Sequence, residues 1–555
     1  MPALSKLFAA ARYSALSLAV IASFLVAWLG CRATIAEEPT APQESKGPRQ
    51  TLRERIAAGD YEGALQSALS SSDSQGRLDM LLELRGGGGL GGGAQADFDS
   101  LMELIQSTIA PDSWEQLGGP GTMEPYFAGV FVDSEGMVSD LESIPTDDEL
   151  TALRRTTLAR QVDAGTARHW SRNSPQRKIS LRQLEQRLAR SFARGEKVDD
   201  ELLHLAGLYR IDTVVLDPAQ RDVILIGPAG GLRRDELGRW LSDDGRTAFR
   251  LDDFGYVVRG SRLGETLGCT IEPDDEHLRD AFAWASSQRS LSDQTARELA
   301  GRLGNSRVQL FGLSPASETA LLVVEADRHM KRVALGDVPG VAGIPTYLQL
   351  IANTPELGAP QGQLLRLWFA PRPPEVTSSE DRLAFAIRGE TLQVVAERET
   401  VADKAQRRAV GGDPRARMLA DAFNEHFDRL AVEYPVYARL RTLYEVATLS
   451  RILELAWPVD APPLDWGLLA EPDLWASQHA VAPQTVRSIA VHERHAMNGK
   501  RLDLVAASGG VSLRADVLLP QLPEPNAGAA ASRIREIQST VDASRPVVRA
   551  HWWWD

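Results

Sequence analysis

The sequence predicts an α+β, multidomain protein: a mixed body of short strands and helices with a C-terminal helical hairpin. Three observations lead there. The chain has 555 residues, several times the length of an ordinary domain. Its hydrophobic fraction of 43% supplies real cores and is too high for a disordered chain. Apolar runs of strand length are also interleaved with stretches of helical spacing, a mixture that belongs to α/β-like or α+β domains.

Residues 1–12 carry Lys6 and Arg12 with no acid, and an apolar run from Tyr13 to Gly30 follows. That is the charged region and apolar core of a secretory signal, assigned to residues 1–36. Thr34-Ile35-Ala36 before Glu37-Glu38 supplies small residues at a cleavage site. Leu29-Gly30-Cys31 offers a rival, a lipoprotein-like box with lipid on Cys31, and a retained anchor is the third reading. All three place the remainder outside the cytoplasm, in the periplasm or secreted. No other segment has the apolar length of a membrane helix. After cleavage at Ala36, Cys269 would be the sole cysteine, so no internal disulfide is expected. A formal charge of −14 argues against nucleic acid, which requires concentrated positive charge.

Residues 37–50 are polar and proline-bearing, a tether. Residues 51–84 read as a helical hairpin, with Ile56, Ala64, Leu65, Ala68 and Leu69 as one apolar set and Leu78, Leu81 and Leu82 as another. Gly59-Asp60-Tyr61 is the turn. A hinge at 85–96 holds seven glycines within Gly86–Gly93, and glycine pays the largest entropy on ordering. Residues 97–140 form a small α/β unit. Phe98, Leu101, Met102, Ile105 and Ile109 keep helical spacing until Pro111. Trp114 anchors the next turn, Gly118, Gly119 and Gly121 permit it, and Tyr126–Val132 is extended.

Within the body, residues 150–400, Ser180 with Gln183 reads as a capping box opening a helix through Leu184, Leu188 and Phe192. Residues 211–217 and 222–226 form a hairpin. Gly227–Gly231 is either a phosphate-receiving loop or, as we favour, a simple loop before a helix at Asp235–Leu241. Phe249–Val258 reads as extended and Asp274–Trp284 as helical. Arg307–Leu313 and Ala320–Val324 read as paired strands, before a helix that runs from about Ala326 and ends before Gly336. Tyr347–Ala352 is helical, while Leu364–Phe369, Leu383–Ile387 and Leu392–Ala396 are extended. A helical hairpin spans 408–457, bent at Pro435. The region 458–555 is irregular and ends in Trp552, Trp553 and Trp554, which either dock a partner or tuck back onto the body.

Two resemblances bear on this reading. Pro111, Trp114, Gly118, Gly119 and Gly121, within residues 97–138, resemble the short periplasmic module that precedes the pore of secretins and some outer-membrane receptors. There the motif is a structural signature with no catalytic residue, and no pore-forming region follows here. Residues Val324–Arg332 with Gly336, Gly343–Tyr347, and the Leu364–Phe369 strand before Pro371 resemble the DUF1598 group of uncharacterised secreted proteins from planctomycete-type bacteria, over roughly residues 150–460. That resemblance implies export and an unknown role, and supplies no fold or site.

Catalytic signals are sparse. His492-Glu493-Arg494-His495 lacks the zincin spacing, although one helical turn would bring its two imidazoles together. Asp327 and Lys331 are spaced to pair on a helix surface, and Arg328 with Lys331 is a candidate anion site. His426 is read as a boundary residue. Asp147-Asp148-Glu149 and Asp274-Asp275-Glu276 read as helix-start acids. No nucleophile elbow, metal cluster or dinucleotide fingerprint occurs, so no cofactor, metal or catalytic residue is assigned. The expectation is an exported envelope protein that acts in assembly or binding with an envelope protein partner. Its candidate binding residues are Trp114, Gly118, Gly119, Gly121, Arg328, Lys331, Trp552, Trp553 and Trp554. The alternative is a secreted hydrolase with an unrecognised site in residues 150–400.

Overall fold

The computed structural model describes residues 48–71, 73–87, 122–126, 129–133, 170–234, 240–242, 246–287, 298–299, 301–357, 363–401, 407–410, 414–476, 481–495, 501–525 and 551–555. Helices α1 (Pro48–Ala57), α2 (Tyr61–Leu69) and α3 (Ser74–Gly87) come first. Asp60 starts α2 by accepting from the Gly63 amide at 3.0 Å, as an N-cap should. The segment read as a hairpin is therefore three helices. Strands β1 (Thr122–Tyr126) and β2 (Gly129–Asp133) pair antiparallel in a sheet of their own. The glycines of the hinge beyond Gly87, Trp114, Gly118, Gly119 and Gly121 lie outside the described residues, as do the signal and the tether as far as residue 47, whereas Pro48 to Gln50, read as tether, are helical within α1.

Next come β3 (Ser174–Ser180), α4 (Leu181–Ala193), β4 (Thr213–Asp217) and β5 (Asp222–Ala229). Ser180 caps α4 through Gln183 N at 3.2 Å. Gln183 does not reach back, and its Oε1 has no partner. Asp222 instead orients the cap, accepting from Ser180 Oγ at 2.7 Å and Arg182 N at 3.1 Å. Gly227 lies inside β5, and Gly230 and Gly231 lead into the ribbon of β6 (Leu232–Arg234) and β7 (Trp240–Ser242). Trp240 and Leu241 are thus extended, not helical as expected.

Two larger corrections follow. Phe249–Val258 is mostly helix α5 (Leu251–Arg262), whose residues from Leu251 to Val258 are all buried. A helix enclosed on every side shows no polar face, so its apolar run imitates a strand. After β8 (Leu267–Pro273), α6 (Asp275–Ser287) and β9 (Asn305–Phe311), Ala320–Val324 sits inside α7 (Glu318–Leu335). Ser317 starts that helix, accepting from Ala320 N at 3.1 Å, and left-handed Gly336 ends it.

Helix α8 (Tyr347–Asn353) precedes β10 (Gln363–Pro371), β11 (Glu375–Ser378), β12 (Ala384–Arg388), β13 (Leu392–Val401) and β14 (Arg407–Val410). β12 and β13, the segments read as extended at Leu383–Ile387 and Leu392–Ala396, belong to different sheets. β12 joins the smaller sheet, ordered β11-β12-β4-β5-β3-β18 with β18 formed by Trp553–Trp554, while β13 joins the larger. Helices α9 (Pro414–Glu425), α10 (Phe427–Glu433) and α11 (Pro435–Ala456) follow, with the expected break at Pro435. The region read as irregular then supplies β15 (Thr485–Arg487), β16 (Ala490–His495), β17 (Arg501–Leu513) and β18 (Trp553–Trp554).

The larger sheet runs β14-β13-β10-β17-β8-β9-β15. β17 lies parallel to β10 on one side and antiparallel to β16 and then β8 on the other. Helix α11 lies between the sheets. Tyr444 donates to the Ser512 carbonyl on β17 at 3.1 Å, and Glu445 accepts from Ile211 N, just before β4, at 3.1 Å. Leu52–Asp555 forms one compact unit. Both helices and strands contribute throughout, so the architecture is α+β.

Among the described residues no helix is long and apolar enough to cross a membrane.

Candidate functional site

Helix α7 gathers a cluster of buried polar side chains. At its first turn Thr319 donates to Asp253 Oδ1 at 2.7 Å, and Arg439 of α11 holds Asp253 with two bonds, 2.7 and 3.0 Å. Glu318 takes Arg250 at 2.8 Å and Arg439 at 3.5 Å, while Arg250 also grips Asp252 at 2.6 Å. Burial alone would raise the Asp252 carboxyl, but Arg250 beside it overcomes this and holds it at about 2. Three acids and two guanidiniums thereby tie the starts of α5 and α7 to α11.

Two turns further along α7, Asp327 and Lys331 do pair, at 2.5 Å, but inside the protein at 0% and 2% side-chain exposure. The expected surface position is wrong because α7 has β8 on this side: Lys331 Nζ also donates to the Ile271 carbonyl at 3.4 Å. Burial raises the Asp327 carboxyl against the pull of Lys331, and its Oδ1 has no hydrogen-bond partner. Cys269 is buried beside the pair and donates to the Val323 carbonyl at 3.5 Å. Burial, then Asp327, pushes its thiol up, which makes it a poor nucleophile.

Arg328 is half-buried, and burial lowers it while Asp337 and Glu325 oppose that and Arg487 adds to it. Lys331 is turned to β8 and Asp327 instead, so the two cations have different partners. His329 is buried against α11, where Nδ1 meets Tyr437 Oη at 2.8 Å and the Tyr434 ring lies 4.3 Å away. Burial lowers its imidazole to about 4, keeping it neutral at ordinary pH. A small apolar cavity borders the same region, lined by Val257, Leu267, Leu313, Thr319, Val323 and Val511. It has room for about one water.

The remaining motifs are elsewhere. His492 and His495 lie on β16, so the helical turn that would have brought them together does not form. Asp274 does cap α6, accepting from Glu276 N at 2.9 Å and His277 N at 3.2 Å. His426 opens α10 and meets Arg429 at 3.0 Å. Trp552 and Trp554 are each 5% exposed, and β18 closes the edge of the smaller sheet against β3. Among the described residues no cluster of His, Cys, Asp and Glu is arranged to hold a metal.

Sequence reasoning missed the network of Arg250, Asp252, Asp253, Glu318 and Arg439. The adjacent acids Asp252-Asp253 were the available signal, comparable to Asp274-Asp275-Glu276, but the strand reading of their segment hid it. It also missed Arg77, which is 7% exposed and bridges Glu185 at 3.1 Å and Asp465 at 2.7 Å. That bridge fastens α3 to α4 and to the turn at Gly467.

Residues 269–347 match the family model described as a protein of unknown function, DUF1598. The matched stretch runs from Cys269 through α7 to Tyr347, and so contains Asp327, Lys331 and His329. No curated protein and no solved structure matches the chain.

Proposed function

Taking residues 269–347 as a DUF1598 segment, we propose that this is an exported envelope protein whose work is assembly or binding. The N-terminal signal pattern supports export. The observation that carries the binding reading is the β1–β2 sheet, which pairs with no other described strand. A two-stranded ribbon is marginal in water, and its open backbone edges are suited to accepting a strand from a partner. The likeness of residues 97–138 to a periplasmic secretin module fits the same role.

The buried charges of α7 support the reading from another side. They are engaged with one another, as structural locks, and the cavity beside them is too small for a substrate. The test is fractionation followed by gentle crosslinking of the full chain and of a chain lacking residues 97–138. The proposal expects an envelope fraction containing a defined complex that the deletion abolishes. A cytoplasmic chain, or unchanged partner recovery after the deletion, would overturn it.

A further inference from the structure

The smaller sheet ends in the two-residue strand β18, within the segment His551-Trp552-Trp553-Trp554-Asp555. It is held by a site that looks built for it. Backbone pairing sets Trp553 opposite Ile179 and Trp554 opposite Lys178, and Ser180 N donates to the Trp552 carbonyl at 2.9 Å. Trp552 and Trp554 are buried, and Trp553 donates its indole N–H to Glu201 at 2.6 Å.

Arg177 organises the site. Its side chain is fully buried, donates to the backbone carbonyls of Trp170, Ala206 and Arg172, and lies over the Trp553 ring at 4.4 Å. Its charge is answered by Asp555, through two bonds of 2.8 and 3.2 Å. Burial raises the Asp555 carboxyl, but the hydrogen bonds from Arg177 and Ser174 outweigh it and keep the group ionised. The Ala206 carbonyl is supplied by a left-handed turn, with Leu205 at φ 42° and Ala206 at 48°. Two such non-glycine residues cost free energy and persist only where the surroundings enforce them. With the strand absent, Arg177 would be a buried cation facing carbonyls and no anion, which is strongly unfavourable.

We infer that the edge of β3 is a strand-recognition site for a tryptophan-rich segment followed by an aspartate side chain, and that a second copy of this chain supplies the same ligand. Backbone pairing provides affinity, while the two tryptophan seats and the bidentate Arg177 contact provide selectivity. The occupying strand reaches the site through the 25 residues 526–550, a length that spans at most about 85 Å. That reach allows the strand to fill its own site at low concentration and a neighbouring copy's at high concentration. The inference is independent of the β1–β2 ribbon.

The experiment uses a chain ending at Ala550 and a labelled peptide of residues 551–555, followed by fluorescence anisotropy. Saturable binding to the truncated chain is expected, with much weaker binding to the full chain because its own strand competes, and about tenfold or greater loss for a peptide carrying Asp555→Asn. Light scattering of the full chain should show a concentration-dependent dimer that excess peptide dissolves. A folded truncated chain that ignores the peptide overturns the site. A full chain that stays monomeric at millimolar concentration overturns the second-copy step. Should the truncated chain fail to fold, a protease site placed within 526–550 is cut after folding. Replacement of the freed strand by labelled peptide then supports the site, and a strand that neither leaves nor exchanges overturns it.

Discussion

Lys331 and Asp327 illustrate what a buried ion pair does and does not contribute. Removing one partner strands the other's charge in the core, whereas replacing both with apolar groups can be nearly neutral. Lys331→Met is therefore expected to cost about 3–5 kcal/mol in urea unfolding, and adding Asp327→Leu should recover most of it. Glu185 makes a related point about pH. It has a guanidinium at 3.1 Å, which would ordinarily keep a carboxylate ionised. Burial outweighs that attraction, and Asp465 competes for the same Arg77, so its carboxyl rises to about 7. Glu445 also rises to about 7, through burial, despite the amide of Ile211 and the nearby Arg441. Both folded-state values exceed the unfolded one, so the native state holds protons that the unfolded chain has already released. Stability contributed by these groups is thus full below the ordinary carboxylate range and falls as pH rises toward about 7. Glu185→Gln and Glu445→Gln should each flatten the fall in melting temperature between pH 5 and pH 8. A slope unchanged by both would refute the assignment.

At the scale of elements, turns show why glycine positions are unequal. Gly230 (φ +79°) leads out of β5, and any Cβ there would collide with the Arg172 carbonyl, whereas Gly59 (φ +75°) has open space around it. Gly59→Ala should cost about 1 kcal/mol, the left-handed penalty alone, and Gly230→Ala several times that in thermal melts. Turns, caps and the break at Pro435 were legible in the sequence because their causes are local. Ser180, Asp274 and Gly336 act within a few residues of where they stand. What the sequence hid depends on distant neighbours. Tyr256, Val257 and Val258 have strand propensity, yet belong to a helix because packing encloses them on all sides. The run Ala320–Val324 is equally ambiguous until Ser317 is known to cap it. For the candidate site, the spacing of Asp327 and Lys331 was readable, and their burial under β8 was not. Nothing local announces that Arg250 and Arg439, far apart in the chain, share Glu318.

At the scale of the whole molecule, the leading helices are part of the body. α3 joins α4 and the Gly467 turn through Arg77, and Gly467 itself (φ +43°) leaves no room for a side chain beside Arg77 and Glu185. Arg77→Ala should lower stability by about 3 kcal/mol and make residues 52–87 exchange amide hydrogens well before the sheets do. Protection in α2 and α3 that still matched β4 and β5 would argue that apolar packing alone secures them.

One feature, the place of β17, has a consequence in time. This strand sits inside the larger sheet, between β10 on one side and β16 and β8 on the other, yet it comes from residues 501–513. A ribosome makes it after every other strand of that sheet. Until then the β8–β9 pair and the β10–β13 pair each present a raw edge to the other, with the gap between them unfilled, and raw edges invite aggregation. A nascent chain of this design cannot finish its larger sheet early, and gains by being escorted until residues 501–513 emerge.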